Sequence, residues 1–151
     1  MNLLAMLVKD NEDLISIFQQ GNPTETPARI AEYTTNAIKR FSDLCWVCLD
    51  DLNRVIGGIT GSILKRKEKG YILDIAVEKK MQGQGYGRIL LEKILEQFEQ
   101  RDVSQISLGV HYLNAKVVPF YYHFGFRMYE VRKSEFGTGQ DAIIMHYYYS
   151  H

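Results

Sequence analysis

Three glycines fall within Gln82-Gly83-Gln84-Gly85-Tyr86-Gly87-Arg88, which follows the apolar run Tyr71 to Val77 and opens a stretch of helical periodicity. Strand, glycine-rich turn and helix in that order bind anions. Unpaired N–H groups at a helix start point at the ligand, the helix dipole favours negative charge, and glycine lets a phosphate approach the main chain. The end of the turn narrows the choice of phosphate. A nucleoside triphosphate loop needs Lys followed by Ser or Thr, whereas this turn ends Gly87-Arg88-Ile89. A dinucleotide fingerprint counted from Gly83 and Gly85 needs a third glycine where Arg88 stands. A third pattern, Q/R-x-x-G-x-G/A, is satisfied by Gln82, Gly85 and Gly87.

Other reactive residues are sparse. The two cysteines are Cys45 and Cys48. A redox pair would need a helix start to acidify a thiol, and a zinc site would need two further ligands at matching spacing. Cys45-Trp46-Val47-Cys48 instead reads as part of a strand, so the thiols point to opposite faces and are expected to be small buried groups. His123, His146 and His151 have no metal-ligand spacing with Cys or carboxylates, and no metal is expected.

The elements that must position these residues follow from periodicity and turn chemistry. Leu3 to Val8 is a short strand candidate, and Asn11-Glu12-Asp13 starts a helix running to about Gly21. Thr26-Pro27 starts a second, ending near Arg40. Leu44 to Asp50 and Val55 to Lys65 read as strands joined through Asp51-Leu52-Asn53-Arg54, and Gly57, Gly58 and Gly61 predict a bulge or a close approach to bare backbone. In Tyr71 to Val77 the alternate residues Tyr71, Leu73, Ile75 and Val77 are apolar or aromatic, with Asp74 on the opposite face. Leu90, Leu91, Ile94, Leu95 and Phe98 form the buried stripe of the helix after the turn. Ile106 to Val110, Phe126 to Arg132 and Ala142 to Tyr149 are further strands. Val117 to Phe124 is a short helix opened near Pro119, and Ser134 to Asp141 is a polar loop. The order predicts a mixed α/β sheet in one domain spanning residues 1–151.

Composition bounds the function. Lys plus Arg and Asp plus Glu are 18 each in 151 residues, so no overall basic field exists to hold nucleic acid. No apolar stretch approaches the ~20 residues of a membrane span, and no secretory pattern opens the chain. A soluble cytoplasmic protein without membrane or nucleic-acid partners is expected.

A second block lies about thirty residues beyond the glycine turn: Val110-His111-Tyr112-Leu113-Asn114, then Pro119-Phe120-Tyr121-Tyr122-His123-Phe124-Gly125-Phe126. The two blocks resemble the GNAT superfamily of acyl-CoA-dependent N-acetyltransferases, whose second signature is V-x-x-x-N followed by F-Y-x-x-x-G-F. Together with their flanks they cover Val55 to Phe126, in the family's order. The departures are Gln82 where Arg is commoner and Val117 where a small Ala is usual. The resemblance implies a mixed, mostly antiparallel sheet of six to seven strands flanked by four helices, with a splayed pair of parallel strands.

It also implies transfer of an acetyl group from acetyl-CoA to a primary amine by direct attack, with no metal. Main-chain groups of Ile75, Ala76 and Val77 would pair with pantetheine. Amides from Gln82, Gly83, Gln84, Gly85, Tyr86, Gly87 and Arg88 would hold the pyrophosphate, with Asn114 and Phe120 completing the coenzyme site. Tyr121 matches the family tyrosine proposed to protonate the leaving thiolate, a task suited to a phenol of pKa ~10. Tyr71 stands near where some members carry a glutamate base, so the base is open between Asp74 and His111, the latter having the unperturbed pKa nearer neutrality, ~6.5. The acceptor is expected to be a small-molecule amine, with a protein lysine or N-terminus and a non-catalytic acyl-CoA sensor as alternatives. The Ser134 to Asp141 loop and the two N-terminal helices would border its site, and Glu130, Glu135, Asp141 and Trp46 are unranked contributors. A homodimer, with Tyr147-Tyr148-Tyr149 as one candidate contact, is a family-level expectation.

Overall fold

A computed structural model describes residues 2–5 and 11–150. The elements are β1 (Asn2–Ala5), α1 (Asn11–Gln19), α2 (Pro27–Arg40), β2 (Cys45–Leu49), β3 (Val55–Leu64), β4 (Lys69–Val77), α3 (Tyr86–Gln100), β5 (Gln105–His111), α4 (Val118–His123), β6 (Arg127–Arg132) and β7 (Ala142–Tyr148). The expected first strand extended to Val8, and residues 6–10 lie outside the described residues, as does His151. The strands form one seven-stranded sheet in the order β1-β2-β3-β4-β5-β7-β6, with β4 and β5 parallel and the other pairs antiparallel. This is the architecture the resemblance implies.

Local chemistry sets the boundaries that matter here. The Thr26 side chain caps α2 by accepting from the Arg29 N–H at 3.3 Å, with Pro27 at the first helical position. The β2–β3 hairpin turns on Asp50, whose Oδ1 accepts from the N–H groups of Leu52 and Arg54, both at 2.9 Å. A 3-10 turn over Tyr112–Val117 precedes α4, so the helix expected over Val117 to Phe124 is found one residue shorter at each end.

The sheet separates two cores. On one face α3 buries Leu90, Leu91, Ile94 and Phe98 completely, each worth about 1.5–3 kcal/mol in area removed from water. That stripe sits directly on bare backbone: a Cβ on Gly61 would lie 2.7 Å from Ile94 Cδ1, and one on Gly70 2.6 Å from Phe98 Cε1. On the other face α1 and α2 pack over Cys45, Val47 and Leu49. Cys45 belongs to this second core and Cys48 to the first, as the strand alternation requires. Burial pushes both thiols up to about 11, so they stay protonated at neutral pH.

One irregularity shapes the site. The β3–β4 register steps from Thr60/Asp74 to Gly61/Ile72, leaving Leu73 as the extra residue of a bulge. The even alternation expected through Tyr71, Leu73, Ile75 and Val77 is therefore corrected. Ile72 is buried under α3, Leu73 is 41% exposed, and Ile75 and Val77 return to the α3 face after the bulge. The bulge also bends β4 away from β5. The parallel ladder holds only the pairs Lys69/Gln105, Gly70/Ile106 and Tyr71/Ser107, and beyond it the two strands diverge.

Candidate active site

The divergence opens a cavity of about 780 Å³. Ile75, Ala76 and Val77 line it from β4, Asn114 from the turn after β5, and Phe120 and Tyr121 from α4. Gln82, Gly83, Gly85, Tyr86, Gly87 and Arg88 complete it. Of the turn residues expected there, Gln84 does not line the cavity.

The start of α3 differs from that of α2. Its cap is Gly85, at φ 91, with no side chain bonded to the first turn and no acidic residue in that turn. The first amides of a helix lack intrahelical partners, so this end presents bare N–H groups and an uncompensated dipole. Lys79, Arg88 and Lys116 bring positive charge to the same cavity. Arg88 also pairs with Glu92 at 2.9 Å. Gln82 is a tie between elements: its Nε2 donates to the Val77 carbonyl at 3.0 Å and to Gln20 Oε1 at 3.2 Å. The bare amides and cations match a pyrophosphate, and the unpaired edge of β4 beyond Tyr71 matches an extended amide-bearing arm. The residues present therefore fit coenzyme A.

Tyr121 is 7% exposed and packs edge-on against Phe120 and Phe126. Burial, and secondarily the charge of Asp74, raise its pKa, so the phenol keeps its proton well above neutrality. Asp74 is on the α1/α2 face of β4. It does not line the cavity, and its Oδ2 is buried without a hydrogen-bond partner. Burial pushes Asp74 up to about 7; the nearby Tyr33 hydroxyl opposes that rise and the charge of Glu25 adds to it.

His111 is fully buried. Its Nδ1 accepts from the Leu113 N–H at 3.1 Å, and its Nε2 lies 3.1 Å from Thr24 Oγ1. The first bond assigns the proton to Nε2, which donates to Thr24. The ring stacks between Tyr112 and Phe136 at about 5 Å. His111 thus clamps the α1–α2 loop, the end of β5 and the β6–β7 loop together.

The acceptor-side candidates divide in the same way. Trp46 is on the α3 side, with Nε1 donating to Asp43 O and Lys93 over its ring at 4.3 Å, so it is removed from that list. Glu130 and Glu135 pair with Arg132, and Asp141 Oδ1 accepts from the Ser134 N–H. Sequence reasoning missed Tyr33, Glu25, Lys79 and Lys116. Lys79 and Lys116 flank Gln82 and Asn114 in sequence and line the cavity with them, whereas Tyr33 and Glu25 come near Asp74 only through tertiary packing. Among the described residues no group of three or more His, Cys, Asp or Glu could hold a metal ion, and no helix is long and apolar enough to cross a membrane.

Comparison with known proteins gives this geometry its relatives. Residues 11–126 match the model of the acetyltransferase (GNAT) family. An uncharacterized N-acetyltransferase of Methanocaldococcus jannaschii is 33% identical over 118 residues, 75% of this chain and 74% of that protein. The ribosomal protein bS18 alanine N-acetyltransferase of Escherichia coli is 35% identical over 81 residues, 52% of this chain. The match spans about half the length of that relative, 55%. The structure of Ard1 from Thermoplasma volcanium superposes with a TM-score of 0.85 at 22% identity, covering 99% of this chain and 98% of that one, which shows the shared fold.

Proposed function

Because the chain belongs to the acetyltransferase (GNAT) family, we propose that it transfers an acetyl group from acetyl-CoA to a primary amine, and that the amine is the α-amino group of a peptide or protein. The observation that carries the transfer is the uncapped start of α3 opening onto the β4/β5 cavity with Tyr121 in its wall. Bare amides of Gly83, Gly85, Tyr86, Gly87 and Arg88 would hold the pyrophosphate, assisted by Lys79 and Lys116. Main-chain groups of Ile75 and Ala76 would pair with pantetheine, and one N–H on β4 would stabilise the carbonyl oxygen as charge develops. Val77 would join that ladder with a carbonyl that already accepts from Gln82. Asn114 would bond the pantetheine arm, and Phe120 would close over Gly87.

The proton inventory closes on two residues. The acceptor ammonium gives one proton to Asp74, its nitrogen forms the C–N bond, and the C–S bond breaks. Tyr121 gives its proton to sulfur and recovers one shed by the new amide nitrogen. Asp74 is preferred to His111 as base because both nitrogens of His111 are engaged, while Asp74 Oδ2 is free.

Two observations support an α-amine over the small-molecule amine expected from sequence. One is the likeness to the enzyme named for the alanine of ribosomal protein bS18. The other is basicity. Asp74 sits at about 7; taking a proton from an α-ammonium of pKa about 8 costs on the order of 1 kcal/mol, and from lysine at about 10.4 nearly 5 kcal/mol. Thiol release from acetyl-CoA with an alanine-terminated peptide, an Nα-blocked lysine peptide and a diamine tests this reading. The first is expected to turn over fastest. Saturable CoA binding without thiol release from any amine would leave an acyl-CoA sensor instead, and no CoA binding at millimolar ligand would overturn the reading entirely.

A further inference from the structure

β6 ends the sheet on the side away from β1, pairing with β7 alone and leaving its outer row of N–H and C=O groups without a neighbouring strand. All six of its residues are exposed, among them Met128 at 66%, Tyr129 at 61% and Val131 at 62%. Edge strands are usually blunted by Pro, by Lys or by a bulge. β6 contains neither Pro nor Lys, and its bulge falls at Tyr129, leaving Glu130, Val131 and Arg132 as regular strand opposite Ile144, Ile143 and Ala142. The aromatic tail expected as a dimer contact is instead spent on the fold. Tyr147 packs on Phe126, and the Tyr149 hydroxyl donates to the Leu95 carbonyl.

We propose that β6 is a self-association surface: two copies of this chain join edge to edge and antiparallel, with Val131 on the two-fold axis. Symmetry restricts the register. A dyad relating neighbouring antiparallel strands stands perpendicular to the sheet and keeps each face on its own side, so it must pass through a residue rather than between two. Centred on Met128 or Tyr129, the ladder would run through the bulge. Centred on Glu130 it would set two glutamates face to face, and centred on either arginine, two arginines; like charges directly opposite are unfavourable. Centred on Val131, it places valine against valine and sets Glu130 of each copy opposite Arg132 of the other. Glu130 and Arg132 already pair within the chain at 2.7 Å and stay 39% and 48% exposed, and a guanidinium fork has donors for a second carboxylate. The surface is small against the ~800 Å² per partner of a standard interface, so the association is reversible. None of these residues lines the reaction cavity, and the proposal stands apart from the acetyl-transfer reading.

Sedimentation velocity over a concentration series reaching about 1 mM tests it. The wild type should move from monomer toward dimer as concentration rises. Glu130→Arg or Arg132→Glu alone should weaken association about tenfold or more, because each sets like charges opposite one another twice across the dyad. An equimolar mixture of the two variants should restore it, since each supplies the charge that the other lacks; a pair confined to one chain would not respond to mixing. On oxidation, Val131→Cys should form a disulfide between copies, the cross-strand Cα separation of roughly 4.5–5.5 Å being within disulfide reach. Met128→Cys should not, and the native Cys45 and Cys48 are buried and do not compete. A wild-type protein that is monomeric at every concentration overturns the proposal. So does a dimer that both charge reversals leave intact, or one that mixing fails to restore. Should a charge variant fail to fold, the crosslink decides alone: a disulfide through Val131→Cys upholds the register, and its absence overturns it.

Discussion

The two ends of the proposed reaction site are built by opposite means. The donor end is main chain: Gly85 caps α3 without a side-chain bond, and the first-turn amides stand open beside Lys79 and Lys116. The proposed acceptor end is side chain and lies outside that cavity's lining: Asp74, Tyr33 and Glu25 come from β4, α2 and the loop before α2, and His111 ties that loop to β5. A phosphate needs several donors of fixed geometry, which contiguous backbone supplies within one turn. A proton acceptor needs a tuned pKa, which only burial and neighbours from elsewhere in the chain supply. The donor end can therefore be damaged through conformation, and the acceptor end through chemistry.

The largest effect is expected at the donor end. Gly85→Val forces a β-branched side chain into φ 91, costing on the order of 1–3 kcal/mol locally, and turns the open amides away from the pyrophosphate. Calorimetry should find acetyl-CoA affinity lowered about a hundredfold or more, with the acid limb of any residual turnover unmoved. Tyr121→Phe is next. It should lower kcat about a hundredfold while calorimetric affinity for acetyl-CoA stays near that of the wild type, since the ring and its contacts with Phe120 and Phe126 are kept. A loss of affinity instead would make Tyr121 part of the donor end alone.

Asp74→Asn is expected to cost less. About a tenth of an α-amine of pKa near 8 is already neutral at pH 7, so removing the base lowers kcat/KM only about tenfold there. The acid limb should then follow the amine itself, moving from near pH 7 to about pH 8. Stability moves the other way. The folded state holds the Asp74 proton up to about 7, against 3.8 ordinarily, so its stabilising contribution is present at low pH and lost as pH rises through that window. Thermal melts should accordingly show Asp74→Asn more stable than wild type at pH 8, with the difference shrinking toward pH 4. Gly61→Ala should touch neither end of the site. Its Cβ would press on Ile94 and Phe98, an overpacking cost of about 1–3 kcal/mol. The melting temperature falls, and turnover per folded molecule is unchanged.

The same contrast explains what could be read before the structure. The glycine turn is legible because its function is local: Gly83, Gly85 and Gly87 are neighbours in sequence and in the site. The α3 stripe is legible for the same reason, since period alone places Leu90, Ile94 and Phe98 on one face. Strand alternation set Asp74 opposite Ile75 and Cys45 opposite Cys48, and both relations hold. Alternation failed at Leu73, because a bulge is a property of the β3–β4 pairing rather than of β4. Tyr33 was illegible because its place on α2 has no period or motif that names Asp74. His111 was visible as a residue, but the bonds that occupy both its nitrogens come from Thr24 and Leu113. Trp46 was a candidate until the pairing of β2 turned it toward Lys93 and α3.

The sharpest single measurement offers one peptide two nitrogens. A peptide with a free N-terminal alanine and an internal lysine is incubated with the protein and acetyl-CoA, and tandem mass spectrometry locates the acetyl group. Transfer to the α-nitrogen, with the lysine unmodified and thiol released in equal amount, is the predicted result. Acetyl found on the lysine, or no transfer while acetyl-CoA saturates the protein, would contradict the pairing of this donor end with an Asp74-tuned acceptor end.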